Sequence, residues 1–337
     1  GGGAWPQTWM PFAMNGPSQA RPTIVDATLG IGIPRTAFVS SQDGYVYCVN
    51  AATGQLQWTS PKLGDAVQAE PVGIFRAYGS SFDLVVVGVR NSATGSKLYG
   101  LRLSNGTVAW AFENLVSQGG DGGAIGIISS GASIEYGSPA RAYFTSRTRG
   151  GGTTGTVWCV SFTEAGVTKV WSRSIGDVDG AAIPYNGRLY VGTNSGSVHA
   201  LNAVTGADLW TAPVALGDGP VKSFVFPDVA SNRLVLSTTT KVWALTDDGG
   251  TGSVLWSTAS VPNPSAPLIL FGTPHLYVGG SDGRLHQIVS ATGVPGNPAV
   301  QLGDGASVVG VPSYDFASEL IYVGTDAGRI YAVRPQP

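Results

Sequence analysis

Charged side chains are scarce in this chain of 337 residues: only 12% are Asp, Glu, Lys or Arg, and the formal net charge is -2. A typical soluble domain carries about twice that share of charge. No run of basic residues occurs anywhere in the sequence, so the electrostatic footprint of a nucleic-acid-binding protein is missing. We therefore expect no nucleic-acid partner.

Cysteine and long apolar runs are also lacking. The two Cys residues cannot form a disulfide framework, and no CxxC motif is present for zinc or haem. The longest apolar stretches, such as Leu84–Val89, are far too short to span a bilayer. We therefore expect no transmembrane segment and no cysteine-based metal site.

Glycine and hydrophobic residues are plentiful. The chain has 49 Gly and 21 Pro, and 43% of its residues are hydrophobic. That share is enough to build a packed core, which rules out a disordered chain. The 3.6-residue periodicity of amphipathic helices is nearly absent, so the pattern favours an all-β fold.

A four-residue pattern recurs along the chain. Its first residue is aliphatic, its second is aromatic or His, its third is small or polar, and its fourth is aliphatic. The repeat recurs every 41 to 59 residues, which is the period of propellers and other repeat folds. It occurs seven times, as Val46-Tyr47-Cys48-Val49, Leu98-Tyr99-Gly100-Leu101, Val157-Trp158-Cys159-Val160, Val198-His199-Ala200-Leu201, Val242-Trp243-Ala244-Leu245, Leu285-His286-Gln287-Ile288 and Ile330-Tyr331-Ala332-Val333.

Each copy lies in the same frame of short strands and turns. A second apolar run and a hairpin turn such as Asp43-Gly44 precede it, and a Gly turn followed by a Trp comes after it in most copies. A Pro-marked strand, as at Glu70-Pro71, opens the unit. Four short strands per unit predict a propeller blade.

The sequence therefore predicts an all-β, seven-bladed β-propeller of four-stranded antiparallel blades, as one domain over residues 1–337. The repeats are centred near residues 47, 99, 158, 199, 243, 286 and 331. The seventh repeat ends at Val333 without a fourth strand. We expect residues 1–12, which contain Trp5 and Trp9, to close the last blade.

Two copies carry a longer signature. It runs from Gly44 to Trp58 in the first repeat and from Gly196 to Trp210 in the fourth, and both contain Asn, then Thr-Gly, then Trp. This pattern resembles the repeat of the pyrroloquinoline-quinone-like, or quinoprotein-like, β-propellers. The resemblance implies a fold and leaves the function open.

The resemblance covers two kinds of protein. The quinone dehydrogenases carry a vicinal Cys pair against the quinone and a calcium ion, and this sequence has no such Cys pair. The non-catalytic branch is similar to outer-membrane assembly scaffolds and extracytoplasmic sensor or surface domains, and this chain looks more like that branch. We predict no cofactor, with Ca²⁺ or the quinone as the open alternative.

One acidic feature recurs. A Gly-Asp pair precedes the first strand in five of the repeats. The Asp residues of these five pairs are Asp65, Asp121, Asp177, Asp218 and Asp304. Such pairs make tight turns in which the carboxylate caps backbone N–H groups. The alternative is a ring of carboxylates at one mouth of the central channel that binds a cation. The sequence favours turn capping and leaves the metal site open.

The two Cys residues and two of the His residues lie at fixed positions within the repeat. Cys48 and Cys159 occupy the position that is Gly or Ala in most other copies, so we expect small buried side chains there. His199 and His286 occupy the position of Tyr or Trp, which predicts packing. No catalytic residue is predicted.

Three arginines are candidates for binding a protein partner. Arg90 begins the loop that ends at Lys97 in the second repeat. Arg147 and Arg149 lie in the loop from Ser146 to Thr156 in the third repeat. A Gly-rich insertion near residues 114–136 adds a further elongated loop. Surface loops are where binding specificity usually lies.

We conclude from the sequence that the chain is a non-catalytic, extracytoplasmic protein-interaction or scaffold propeller with protein partners. Low charge and only five lysines indicate a periplasmic, secreted or cell-surface setting, because cytosolic proteins keep more charge. We expect it to be one component of a larger chain or surface assembly. The alternative is a quinone- or metal-dependent oxidoreductase that uses the central channel.

Overall fold

Short β-strands make up nearly all of the regular structure. The computed structural model describes residues 12–18, 20–25, 34–91, 95–147, 156–229, 231–270, 272–316 and 318–336. These ranges contain 27 strands, no α-helix and two 3₁₀ turns, at Arg76–Tyr78 and Val116–Gln118. None of the described helical turns has the length and apolar character needed to cross a membrane.

The chain divides into two compact units, Gly1–Ala181 and Ala182–Pro337. The first unit contains three four-stranded antiparallel sheets, which we call blades 1 to 3. Blade 1 consists of β1 (Thr23–Val25), β2 (Thr36–Ser40), β3 (Val46–Asn50) and β4 (Leu56–Thr59), blade 2 of β5 (Val72–Ile74), β6 (Leu84–Val89), β7 (Lys97–Arg102) and β8 (Val108–Phe112), and blade 3 of β9 (Ser133–Glu135), β10 (Ala140–Thr145), β11 (Val157–Phe162) and β12 (Val167–Arg173).

The second unit contains blades 4 to 7, again with each strand next to its neighbour in sequence. They are β13 (Ile183–Tyr185), β14 (Arg188–Gly192), β15 (Ser197–Asn202) and β16 (Val214–Ala215), then β17 (Lys222–Asp228), β18 (Arg233–Ser237), β19 (Val242–Asp247) and β20 (Gly252–Thr258), then β21 (Leu268–Ile269), β22 (His275–Gly279), β23 (Arg284–Val289) and β24 (Val300–Gln301), and finally β25 (Ser313–Asp315), β26 (Leu320–Gly324) and β27 (Ile330–Val333).

These sheets are the blades of an all-β, seven-bladed β-propeller, so the predicted fold class is confirmed. Each of the seven repeats predicted from the sequence is the third strand of its blade, from β3 to β27. Blade 7 has three strands in the described part of the chain. The closing strand predicted at residues 1–12 lies outside the described residues, apart from Phe12.

The turn after the third strand explains the Asn and the Thr-Gly of the repeat. The Asn50 side-chain oxygen accepts hydrogen bonds from the backbone N–H groups of Ala52 and Thr53, at 2.9 and 3.0 Å. Gly54 then takes φ 72°, a left-handed conformation that glycine adopts without steric cost. The chain thereby reverses into the fourth strand.

The cores lie between neighbouring sheets. Between blades 2 and 3, Phe112, Phe144 and Trp158 are at most 1% exposed, and the rings of Phe144 and Trp158 stack at 5.8 Å. Burying such a side chain contributes roughly 1.5–3 kcal/mol. Because both faces of a blade are covered, its inner strands are apolar at nearly every position, as in β6.

Two details differ from the sequence predictions. The insertion near residues 114–136 is only partly a surface loop, because Ile125 and Ile128 are buried in the core between blades 2 and 3 and the segment includes β9. Trp210 precedes the short strand β16 and lies outside it. In both places tertiary packing sets the strand boundaries and overrides the local pattern.

Candidate functional site

Asp218, one of the five predicted carboxylates, fastens two loops together. It accepts hydrogen bonds from the hydroxyl of Thr238, from the backbone N–H of Thr240 at 3.0 Å and from the Thr240 hydroxyl at 2.6 Å. Burial alone would raise the pKa of Asp218, but these hydrogen bonds to the charged form outweigh it and lower the pKa. The carboxylate therefore joins the segment before blade 5 to the turn between β18 and β19.

Asp304 caps its own turn. Its oxygens accept from the backbone N–H groups of Ala306 and Ser307 at 3.0 and 2.9 Å, and from the Ser307 hydroxyl at 2.7 Å. The Ser307 hydroxyl bond and the two backbone bonds lower the pKa of Asp304 to about 2. Capping of this kind is the commonest use of a short acidic side chain in a turn.

The other three carboxylates also have partners. Asp121 accepts from the Asn114 amide at 2.6 Å and from the Gly123 backbone N–H at 2.9 Å. Asp65 and Asp177 each take part in polar interactions of their own. The backbone N–H of Asp65 donates to the carbonyl of Arg90 at 3.0 Å.

The five carboxylates are thus used one at a time. Across the described ranges, no group of three His, Cys, Asp or Glu side chains is placed to hold a metal ion. Calcium needs six to eight oxygen ligands, and the described carboxylates do not come together as such a set. Turn capping therefore describes Asp121 and Asp304, whereas Asp218 joins two separate loops.

The two cysteines fill the small position of the repeat, as the sequence predicted. Cys48 lies opposite Trp58 and Cys159 opposite Trp171 in the adjacent strand. Both are buried free thiols, and burial raises the pKa of each to about 12. A thiol that stays protonated is a poor nucleophile and a poor metal ligand.

The aromatic position of the repeat has a polar function that sequence reasoning missed. The Tyr47 hydroxyl donates to Asp43 at 2.6 Å, and the His286 ring lies 3.0 Å from Asp282 at the same place in blade 6. Burial and the Asp43 hydrogen bond raise the pKa of Tyr47 to about 12. His286 therefore replaces a tyrosine in packing and also in bonding the turn Asp.

The tryptophans that follow the Gly turn in four of the described blades link their blades to the next. Their indole N–H groups donate to an acceptor at the end of the next blade's third strand: Trp58 to the Leu103 carbonyl at 2.9 Å, Trp110 to the Thr163 carbonyl at 2.9 Å, Trp210 to Asp247 at 3.0 Å and Trp256 to the Ser290 carbonyl at 3.0 Å. Three of these indoles also cover the Gly turn of that next blade; a Cβ on Gly106, for example, would lie 2.3 Å from the Trp58 ring. The regular Thr-Gly and Trp spacing was the available sequence signal for this contact.

The strongest candidate for a binding surface is the loop of residues 113–123, which we call the braced loop. The Gln118 side chain holds it from inside: its oxygen accepts from the Glu113 backbone N–H at 2.8 Å and its amide donates to the Ala111 carbonyl at 2.6 Å. Asn114 is fully buried with φ 60°, and its amide donates to Asp121 and to the Gly123 carbonyl. These bonds brace the loop from within.

Two ion pairs fasten the braced loop to neighbouring strands. Lys169 of β12 lies 3.6 Å from Asp121, and Lys97 of β7 lies 2.9 Å from Glu113. Leu115 and Val116 remain on the outside, 45% and 77% exposed. A rigid loop with an apolar tip loses little conformational entropy when it binds.

The three predicted arginines differ in their placement. Arg147 pairs with Asp179 at 2.9 Å, and its backbone pairs with Ile127 in both directions. The backbone of Arg90 pairs with Ala66. Arg149 lies outside the described residues. The side chain of Arg147 is therefore partly exposed and engaged in an ion pair.

Blades linked by tryptophans through Gly turns agree with the resemblance of the repeat to the quinoprotein-like propellers. The family model described as outer membrane protein assembly factor BamB matches residues 152–297. An outer membrane protein assembly factor BamB from Yersinia pestis is 25% identical over 300 residues, which cover 88% of this chain and 68% of that protein. A tetrathionate hydrolase from Acidithiobacillus ferrooxidans is 23% identical over 288 residues, which cover 76% of this chain and 51% of that protein.

Solved structures share the fold. BamB from Moraxella catarrhalis superposes with a TM-score of 0.66 at 15% identity, covering 98% of this chain and 86% of that one. The computationally designed protein Ika8 gives a TM-score of 0.55 at 13% identity, covering 97% and 99%. The predicted resemblance is confirmed: the chain is a β-propeller that is similar to the BamB assembly factors and resembles the quinoprotein-like repeat.

Proposed function

We propose that this protein is a non-catalytic scaffold whose braced loop docks on a partner protein. The observation that carries the proposal is the exposed Leu115-Val116 tip on a loop that is fixed by partly buried hydrogen bonds. Apolar side chains on a preorganised element can be buried against a partner at a low cost in conformational entropy.

The partner we propose has an apolar pocket with a polar rim. The tip itself is uncharged, and the charges nearest to it in sequence, Glu113 and Asp121, are already paired with lysines. Charges that are already paired within the chain contribute little attraction to a partner, so most of the affinity would come from burying Leu115 and Val116. Such a complex would be less sensitive to salt than one steered by charge.

The setting we propose is extracytoplasmic, in a larger assembly. The similarity to proteins described as outer membrane assembly factors supports it, and so does the low share of charged residues. Fractionation of the cells that make the protein tests the compartment: recovery with the periplasm or outer membrane is expected, and recovery with the cytosol would contradict it.

Native mass spectrometry of the protein from its own source tests the scaffold. We expect complexes with other polypeptides and a single chain without added mass. A chain that carries the mass of a quinone or of calcium would instead support the oxidoreductase alternative.

A photocrosslinking residue at position 116 then tests the surface. The matched control is position 204, because Val204 is 53% exposed at a turn of blade 4. We expect one discrete crosslinked product from position 116 and none from position 204. Equal products from both positions, or none from position 116, would contradict docking through the braced loop.

A pair of substitutions separates binding from folding. Val116→Ser and Val204→Ser both replace an exposed Val, so each should change the free energy of unfolding by less than about 0.5 kcal/mol. Only Val116→Ser should weaken the complex, by roughly tenfold, which is the loss expected from one apolar contact at an interface.

A further inference from the structure

Blade 6 has no tryptophan in its fourth strand. Pairing of Ile288 with Pro295 places Asn297 at the position that Trp58 and Trp210 occupy in blades 1 and 4. The third strand of this blade also differs, because it carries Gln287 where the other blades have Cys, Gly or Ala. The two exceptions to the repeat thus occur in the same blade.

The two exceptions depend on each other sterically. In blade 2, a Cβ added to Gly100 would lie 2.3 Å from the Trp110 ring, so the indole occupies the space beside this position. With no indole in blade 6, the Gln287 side chain fills the space and is 6% exposed. Its oxygen accepts from the Asn297 backbone N–H at 2.7 Å.

The Gln287 amide then makes the bond that the indole makes elsewhere. Its Nε2 donates to the carbonyl of Gln336 at 2.8 Å, three residues beyond β27 of blade 7. In three other blades the tryptophan N–H donates to the carbonyl of the residue directly after the next blade's third strand. The Tyr277 hydroxyl donates to the same Gln336 carbonyl at 3.1 Å and lies 3.2 Å from Gln287 Nε2.

We propose that Gln287, Tyr277 and Gln336, together called the Gln287 clamp, replace the tryptophan contact between blades 6 and 7. The clamp joins the blades through hydrogen bonds to one carbonyl and lacks a ring stacked on a Gly turn. Both hydrogen bonds to the Gln336 carbonyl are partly buried, so a variant that loses a donor also loses part of the contact that joins the segment after β27 to blade 6. Blade 7 therefore depends on the donor character of residue 287 and not on its bulk.

Gln287→Glu tests this dependence, because it keeps the shape and removes the N–H donor. The matched control is Gln301→Glu, the same change at an exposed position of blade 6. Hydrogen exchange of the whole protein is followed by mass spectrometry and expressed as protection factors, which correct for intrinsic rates. We expect protection of β26 and β27 to fall about tenfold or more in Gln287→Glu at neutral pH, with β14 and β15 unchanged.

Lowering the pH provides a second test of the same variant, because a protonated Glu regains an O–H donor. Protection of β27 in Gln287→Glu should recover towards that of the unsubstituted protein as the pH falls, and a purely steric role would show no recovery. Tyr277→Phe removes the second donor and should reduce protection of β27 by a few fold. This variant also tests the clamp if Gln287→Glu does not fold.

Three results would overturn the clamp. The first is unchanged protection of β27 in Gln287→Glu or, where that variant does not fold, in Tyr277→Phe. The second is an equal loss in Gln301→Glu. The third is a loss of protection that extends equally to β14 and β15, because that would be global destabilisation.

Discussion

Two interblade contacts perform the same task with different chemistry. Between blades 1 and 2, Trp58 covers Gly106 and donates to the Leu103 carbonyl. Between blades 6 and 7, Gln287 donates to the Gln336 carbonyl without an aromatic ring. Burying a tryptophan gains roughly 4–6 kcal/mol of apolar transfer, whereas a hydrogen bond has a net value of about 0.5–1.5 kcal/mol. The tryptophan contacts should therefore be the stronger ones.

Trp110→Ala should have the largest effect. Trp110 is 6% exposed, its ring centre lies 5.2 Å from that of Phe162, and it donates to the Thr163 carbonyl. We expect a loss of about 3–5 kcal/mol in the free energy of unfolding measured by urea titration. Trp110→Phe keeps aromatic packing and should lose only about 1–2 kcal/mol. Equal losses would mean that the hydrogen bond, and not the ring, holds the blades together.

Cys48→Gln tests whether a glutamine and a tryptophan exclude each other. Cys48 lies opposite Trp58 and is 2% exposed. A larger side chain must displace the indole, so we expect a cost of about 1–3 kcal/mol. Cys48→Ala is the control, and its cost should stay below about 1.5 kcal/mol. If the glutamine is tolerated as well as the alanine, blade 6 has no steric reason to lack its tryptophan.

A comparison of two glycines isolates the contact between indole and turn. Gly106 and Gly122 have φ 71° and 77°, but only a Cβ at Gly106 would meet another residue, the Trp58 ring. Alanine at either position carries a similar backbone cost of roughly 1 kcal/mol. We expect Gly106→Ala to lose about 1–2 kcal/mol more than Gly122→Ala in the same urea titration. Matching losses would argue against close contact of the indole with this turn.

Trp210 makes the one charge-assisted contact among the four tryptophan bonds described above. It donates to Asp247, which also accepts from Tyr190 at 2.6 Å and pairs with Arg188 at 3.0 Å. Burial opposes ionisation, but the hydrogen bonds of Tyr190, Trp210 and Gly249 and the Arg188 charge lower the pKa of Asp247 below its ordinary 3.8.

This contact should respond to acid. A lowered folded-state pKa contributes stability above pH 3.8, and that stability is lost as the pH falls through the folded value. At neutral pH the free energy of unfolding of the native chain should exceed that of Asp247→Asn by about 1 kcal/mol. This difference should therefore shrink below pH 3.8. Melting temperatures of both forms from pH 6 to about pH 3 measure it. A constant difference would show that the charge of Asp247 contributes nothing.

Several features could be predicted from the sequence because each is local. The Thr-Gly turn, the seven third strands and the small position of Cys48 and Cys159 all follow from short-range patterns that repeat. The insertion was harder: Ile125 and Ile128 look like part of a Gly-rich loop, but neighbouring sheets leave an apolar space that they fill. The Asp residues were recognisable as turn residues, whereas the partners of Asp121 and Asp218 were not.

The sequence by itself determined the all-β class, the seven-blade count and the position of each blade, because periodic apolar residues and turn glycines act within a few residues of one another. Only the tertiary structure decided what the exceptions mean. Gln287 and Gln336 are 49 positions apart, and Lys169 reaches Asp121 from a different strand. Such contacts depend on how whole blades pack, and a single repeat contains no information about its neighbour's carbonyl.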